Sequence, residues 1–321
     1  MTNNKVGRFF ACFLPLLGFL AIQVAVAMAG GMVKGVSLVL KGVTDAKAME
    51  EAMMATDYLL VITIVSQVVT FIVFLIFYIF IFKIRKPESP AKVFSAKSPF
   101  MIMLLLASAE AIISILLMNA YNVFPKIMEE YAKLIEQSGL ADMSVLSTIA
   151  TLVLAPLGEE LAFRGMTLNL AGKFTKKFWV ANMIQAAMFG IAHMNIVQGV
   201  YAFTIGLIFG YIYKKYNSLY ASILAHLTFN FTGTYLVVLF FGTEEEVPLL
   251  RMLIVFVVAA TVFSLAFIAI KKDRKTFERE PMYMKRIHYR EEMPVAYAAA
   301  GVPVNAPADN PTDTFNNNGQ I

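Results

Sequence analysis

The sequence predicts an all-α membrane protein, a polytopic bundle of about eight transmembrane helices enclosing a polar intramembrane cavity. Three observations lead there. Of 321 residues, 59% are hydrophobic and only 15% are charged, with a mean hydropathy of +0.68, which is too apolar for an ordinary soluble domain. The apolar residues gather into runs that reach the roughly 20 residues a helix needs to cross a bilayer. Finally, "PLGEELAFRG" (156–165) sets two adjacent carboxylates and an arginine between two such runs. Intramembrane charges are costly, pair with one another and mark functional sites.

Eight segments meet the apolar criterion, at 9–32, 58–82, 99–121, 143–166, 178–195, 199–213, 218–241 and 249–270. The fifth and sixth are short and tightly joined. Basic stretches occur at 83–92, 173–177, 214–215 and 271–275, whereas 129–142 and 244–248 are acidic or mixed. In an eight-pass arrangement all four basic stretches share one side, so both termini are expected in the cytoplasm, with the plasma membrane as the expected location. The same pattern accounts for the net charge of +5, and no nucleic-acid signature accompanies it.

The N-terminal run has a rival reading as a signal peptide, because Lys5 and Arg8 precede it and "AMA" (27–29) resembles a cleavage site. Its length exceeds the roughly 7–15 apolar residues of a signal h-region, and a transmembrane helix is the expectation. The single cysteine, Cys12, excludes an internal disulfide and a cysteine-based metal site. Residues 280–321 lose hydrophobic periodicity and turn rich in Pro, Asn and Ala. The chain therefore divides into N-terminal helices and loops (1–142), a motif-bearing core (143–241), a final transmembrane helix (242–271) and a mostly disordered cytoplasmic tail (272–321). His288 lies in that tail and is expected to be solvated.

The two remaining histidines, His193 and His226, both lie in apolar segments. On a helix, Glu160 and Arg164 are four residues apart and share a face, so they can pair, while Glu159 is turned about 100° away and left available. Phe189 and His193 are likewise four apart, with Asn182 near the same stripe, and His226 and Asn230 can point together into one cavity. Gly158, Gly165, Gly190, Ala192, Gly206, Gly210 and Ala225 permit close helix approach. Pro156 should disturb the helix just before Glu159. Taken singly, a membrane Glu–Arg pair, histidine or asparagine serves as well for interhelical packing. Together, two Glu, two His and one Asn on three helices provide what is needed to activate water and hold an oxyanion. Glu110 belongs to no such group, and a hydrogen bond with Ser108 or Ser114 is its expected role.

The three motifs "EELAFR" (159–164), "FGIAH" (189–193) and "HLTFN" (226–230) resemble, in order, the E-E-x-x-x-R, F-x-x-x-H and H-x-x-x-N motifs of the CAAX-protease and bacteriocin-processing (CPBP, or Abi) intramembrane protease family. The resemblance covers roughly 143–241. It implies a helical bundle with a conical polar cavity and hydrolysis of a peptide bond near a substrate terminus or membrane segment. By motif position, Glu159 would be the general base, His193 would help hold the water, Glu160 and Arg164 would support the site, and His226 and Asn230 would bind the carbonyl oxygen. The implied partners are the lipid bilayer and a peptide or protein substrate at the membrane, with prenylated substrates as one case.

The family has also been described as metalloproteases, and Glu159, His193 and His226 could supply a three-ligand zinc site. The chain lacks the H-E-x-x-H pattern, and zinc would occupy an oxyanion donor, so metal-free glutamate catalysis is the expectation and zinc the alternative. Two other classes compete with a protease. A proton-coupled transporter would also carry midplane carboxylates, but the paired broken helices of inverted repeats are not found. A silent scaffold or immunity protein would be signalled by loss of Glu159 or His193, and both are present.

Overall fold

The computed structural model describes residues 5–82, 90–138, 144–242 and 247–273, and every element among them is helical. Seven helical rods are long and apolar enough to cross a membrane: Val6–Leu40, Thr56–Ile81, Ser98–Val123, Val145–Thr175, Ile196–Tyr216, Leu219–Phe241 and Leu249–Lys272. The remaining expected segment forms a shorter apolar helix, Phe178–Ala192. The polytopic all-α bundle is therefore as the sequence predicts. Most of the 83–92 loop, the tip at 243–246, the tail and His288 lie outside the described residues.

The first rod combines α1 (Lys5–Ala11) and α2 (Leu14–Leu40), and the short α3 (Ala46–Met53) leads into α4 (Thr56–Phe82). Asp45 caps α3 by accepting a hydrogen bond from the Ala48 amide at 2.8 Å. A single turn, α5 (Pro90–Val93), precedes α6 (Ser98–Val123), and α7 (Pro125–Gln137) follows. The α7 sequence "PKIMEEYAKLIEQ" is amphipathic, and its Tyr131 hydroxyl lies 3.2 Å from that of Tyr201.

The fourth rod is irregular. It runs through α8 (Val145–Ile149), a π-helical stretch Ala150–Leu154, α9 (Ala155–Glu160), a second π stretch Leu161–Thr167 and α10 (Leu168–Thr175). Next come α11 (Phe178–Ala192), α12 (Ile196–Tyr216), α13 (Leu219–Phe231), a π stretch Thr232–Leu236, α14 (Val237–Phe241) and α15 (Leu249–Lys272).

The outer surface is apolar over a core that is apolar as well. Large apolar side chains such as Val36, Phe80, Leu253 and Val257 face outward, as a lipid environment requires. Inside, α11 and α12 form a tight hairpin. Fifteen residues span only about 22 Å at 1.5 Å per residue, less than a bilayer core of about 30 Å. Met194 takes a positive φ of 54° in the turn between the two helices, and Asn195 caps α12 by accepting from the Gln198 amide at 3.1 Å. Small residues set the approach of the two helices, since a Cβ at Gly190 would lie 2.6 Å from the Gly199 carbonyl oxygen. At the opposite end, Asp273 joins three helices: its Oδ2 accepts from Ser98 at 2.5 Å and from Tyr216 at 3.1 Å, and Lys215 Nζ donates to its carbonyl at 2.8 Å.

Candidate active site

The site begins with the disturbance at Pro156. Proline has no N–H and its ring crowds the preceding turn, and the chain widens into π turns on both sides of α9. The Ala155 amide bonds to the Ala150 carbonyl and the Leu168 amide to that of Phe163, five residues back in each case. Carbonyls loosened by the second π stretch gain side-chain donors. Thr167 donates to the Ala162 carbonyl at 3.0 Å, and Asn169 donates to those of Arg164 and Gly165 at 2.9 and 2.8 Å. Single-turn π bulges of this kind accumulate at functional sites.

Glu160 ends α9 and Arg164 lies within the second π stretch; both are fully buried and form an ion pair with Nη1 2.9 Å from Oε1. The guanidinium lies between two aromatic faces, 4.3 Å from the Phe189 ring and 4.9 Å from the Phe209 ring, an arrangement suited to a desolvated cation. His226 reaches this pair from α13. Its Nδ1 is 2.9 Å from Glu160 Oε1, and its ring stacks on Phe209 at 4.7 Å between centroids.

Because a carboxylate only accepts, Nδ1 carries the proton in that bond. The second nitrogen, Nε2, faces Glu159 Oε2 at 3.6 Å, beyond a direct hydrogen bond. One imidazole thus links both carboxylates. Glu159 is the more accessible, its side chain 16% exposed against 0% for Glu160.

The other predicted residues are placed differently. His193 closes α11 with Nδ1 2.8 Å from the Phe189 carbonyl oxygen, and its ring packs edge-on against Phe189 at 4.9 Å, as the His226 ring does at 5.8 Å. Phe189 therefore contacts both histidines and the arginine. Asn230 donates from Nδ2 to the Thr151 carbonyl at 3.0 Å, tying α13 to the first π stretch. Asn182 lies away from the cluster. It donates to the Leu207 carbonyl at 3.0 Å and accepts from Gln185 at 2.7 Å, joining α11 to α12. Glu110 accepts from Ser114 at 2.7 Å, while Ser108 bonds to its own helix backbone.

Among the described residues, no three His, Cys, Asp or Glu side chains stand close enough together to hold a metal ion. Glu159 and His226 face each other, but they do not form such a group with His193. As arranged, the three candidate zinc ligands do not fit a three-ligand site.

Glu159 opens into a cavity of about 170 Å³ between α2, α4 and α9. Its polar lining is Gln23, Thr63, Ser66, Gln67, Thr70 and Glu159 itself. Neither this wall nor Phe209 figured in the sequence reading. The spacing of Thr63, Ser66, Gln67 and Thr70 at i, i+3, i+4 and i+7 within an otherwise apolar helix is the signal that could have found the wall.

Fold and site together define a polytopic helical membrane protein with an acidic, histidine-containing centre buried among its helices. Residues 141–232 match the family model described as Rce1-like, type II CAAX prenyl endopeptidase Rce1-like. That stretch carries all three motifs, and the match supports the CAAX/CPBP protease family to which they are similar. No curated protein and no solved structure matches the chain.

Proposed function

We propose that the chain is an intramembrane endopeptidase of the CAAX type that hydrolyses a peptide bond with water activated by Glu159. The observation carrying this reading is the imidazole of His226, anchored through Nδ1 to Glu160 and presenting Nε2 to Glu159. Glu159 Oε2 and the neutral Nε2 are both acceptors, and their 3.6 Å separation lets one water donate a hydrogen to each. The water oxygen, held with its lone pairs outward, then attacks the substrate carbonyl carbon while Glu159 takes its proton. Collapse of the tetrahedral intermediate breaks the C–N bond, and the proton on Glu159 passes to the leaving amine.

The fully buried Arg164 compensates one of two adjacent carboxylates, so Glu160 stays charged and holds the ring while Glu159 remains the base. Oxyanion stabilisation is assigned to Asn230, which keeps a second Nδ2 hydrogen beyond the one given to Thr151. His193, whose Nδ1 donates to the Phe189 carbonyl, keeps Nε2 as an acceptor that helps hold the water. The mechanism proposed uses no resident metal. The substrate is a peptide or protein at the membrane, prenylated or not.

Comparative proteomics of membranes carrying the wild-type protein or Glu159→Gln tests the reading. Peptide termini present only with wild type are expected. Identical termini in both, with both proteins folded, would overturn it.

A further inference from the structure

Outside the acidic centre, a groove of about 300 Å³ lies between the N-terminal rod and the α11–α12 hairpin. We infer that it is a binding site for one anionic phospholipid, with an acyl chain in the groove and the headgroup phosphate at Arg8 and Lys173. This does not depend on the peptidase reading of Glu159.

The shape of the groove fits hydrocarbon. Phe9, Cys12 and Phe13 form one wall, and Met183 and Met188 of α11 with Phe203 of α12 form the other. No lining residue carries a charge, an amide or a hydroxyl. The floor is closed, with Cys12 1% and Met188 8% exposed, while the rim opens outward at Phe9 (41%) and Met183 (56%). Water does not settle in a wholly apolar recess, and on the lipid-facing side of a membrane protein the neighbouring phase is acyl chain.

Charge selects which lipid. Arg8 lies one turn before Cys12 on the same face of α1, and Cys12 Sγ donates to the Arg8 carbonyl at 3.2 Å. The packing of α1 on α10, where the Phe9 and Phe174 rings are 5.5 Å apart, brings Lys173 within electrostatic reach of Arg8. Two cations thus stand together at the basic end of an apolar groove. The segments that build it supply no carboxylate, since residues 1–44 and 161–243 contain neither Asp nor Glu. Basic pockets at a membrane surface bind anionic lipid headgroups. A zwitterionic headgroup would bring no net charge to the two cations, and a soluble anion would leave the groove without its chain.

The single tryptophan of the chain, Trp179, reports on the groove. It lies one turn from Met183 on the same face of α11 and is 59% exposed, so bromine on a bound acyl chain quenches its fluorescence. Full-length protein in lipid nanodiscs is titrated with phosphatidylglycerol or phosphatidylcholine, each brominated on one chain. Half-maximal quenching of the wild type should need about tenfold less phosphatidylglycerol than phosphatidylcholine, the scale of two cations beside one anionic headgroup, and high salt should shrink the difference. Arg8→Gln with Lys173→Gln should abolish the preference, and so should Ala187→Phe, which fills the groove. Lys271→Gln with Lys272→Gln, at the same end of the bundle but outside the groove, should leave it intact. Equal quenching of the wild type by the two lipids would overturn the site, and that comparison needs no variant to fold. A preference surviving loss of both cations, or surviving Ala187→Phe, would also overturn it, the latter by reducing it to attraction between headgroups and a basic surface. Quenching does not require activity, so unchanged peptide termini would disprove the peptidase and leave the lipid site standing.

Discussion

Glu160 Oε1 stands 2.9 Å from His226 Nδ1, and this bond, formed across 66 residues of sequence, turns the other ring nitrogen toward Glu159. A ring held at one nitrogen can place water with the other, whereas a free ring would sample several rotamers. His226→Gln, which cannot present both nitrogens, should therefore lower turnover by about 10²–10⁴-fold, the range of a positioned proton-transfer partner. Thermal stability should stay near wild type, because Glu160 keeps Arg164. The two readouts are cleavage of a substrate found by the terminal comparison and melting of the purified protein; near-normal turnover would remove His226 from the chemistry.

Arg164 is expected to be structural. Its removal leaves Glu160 buried without its cation, and breaking such a pair typically costs about 3–5 kcal/mol. Arg164→Ala should reduce the yield of folded protein together with activity. Arg164→Lys should rescue little, since an ammonium cannot stack between the Phe189 and Phe209 rings as a planar guanidinium does. Normal yield and melting of either variant with activity abolished would instead make Arg164 a direct participant.

These two cases show what could be read from sequence. The Glu160–Arg164 pair was legible because helical geometry alone brings residues four apart together, and the pair survives even though a π stretch starts between them. The partner of Glu159 was not legible. A wheel turns Glu159 away from Glu160, yet His226 spans both because its two nitrogens point in different directions from one ring. Asn182 shares a stripe with His193 but spends its amide on the Leu207 carbonyl, a choice set by the close approach of α12 rather than by periodicity. Four spans, expected at 58–82, 99–121, 218–241 and 249–270, were legible to within two residues, since bilayer thickness imposes their length, whereas the first rod runs on to Leu40 past the expected 32 and the fourth to Thr175 past the expected 166.

Close approach of α11 and α12 makes Gly210 intolerant of any side chain. A Cβ there would sit 1.8 Å from Asn182 Oδ1 and 2.8 Å from Gln185 Nε2, inside a buried network that also bonds Gln185 to the Gly206 carbonyl at 2.9 Å. Gly210→Ala should destabilise by about 1–3 kcal/mol, as overpacking does, seen as a lower melting temperature in detergent. Gly42, with φ of 80° and nothing near its Cβ position, is the control for a merely strained site. Equal melting of wild type and Gly210→Ala would mean that the hairpin can open without cost.

Topology is tested by labelling. The basic stretches at 173–177 and 214–215 and the pair Lys271 and Lys272 lie at helix ends that the fold brings to one end of the bundle, where Lys215 bonds to the Lys271 and Asp273 carbonyls. By the positive-inside rule that end is expected in the cytoplasm. An impermeant thiol reagent applied outside should modify Glu245→Cys and spare Lys272→Cys. The reverse pattern would invert the orientation.

Asn230 separates the two mechanisms. In a metal-free enzyme the second Nδ2 hydrogen stabilises the developing oxyanion, so Asn230→Ala should lower kcat by about 10²–10³-fold with little change in KM. Loss of the 3.0 Å bond to the Thr151 carbonyl would by itself appear as lower stability, which melting detects separately. In a zinc enzyme the metal would polarise the carbonyl, Asn230 would matter less, and His226→Ala would release the ion. Purified active protein is expected to contain far less than one zinc per chain and to keep its activity through prolonged chelation, with Glu159→Gln inactive but folded. Stoichiometric zinc, with activity lost on chelation and restored by adding zinc back, would replace glutamate-activated water with a metal-bound one and leave the peptidase assignment standing.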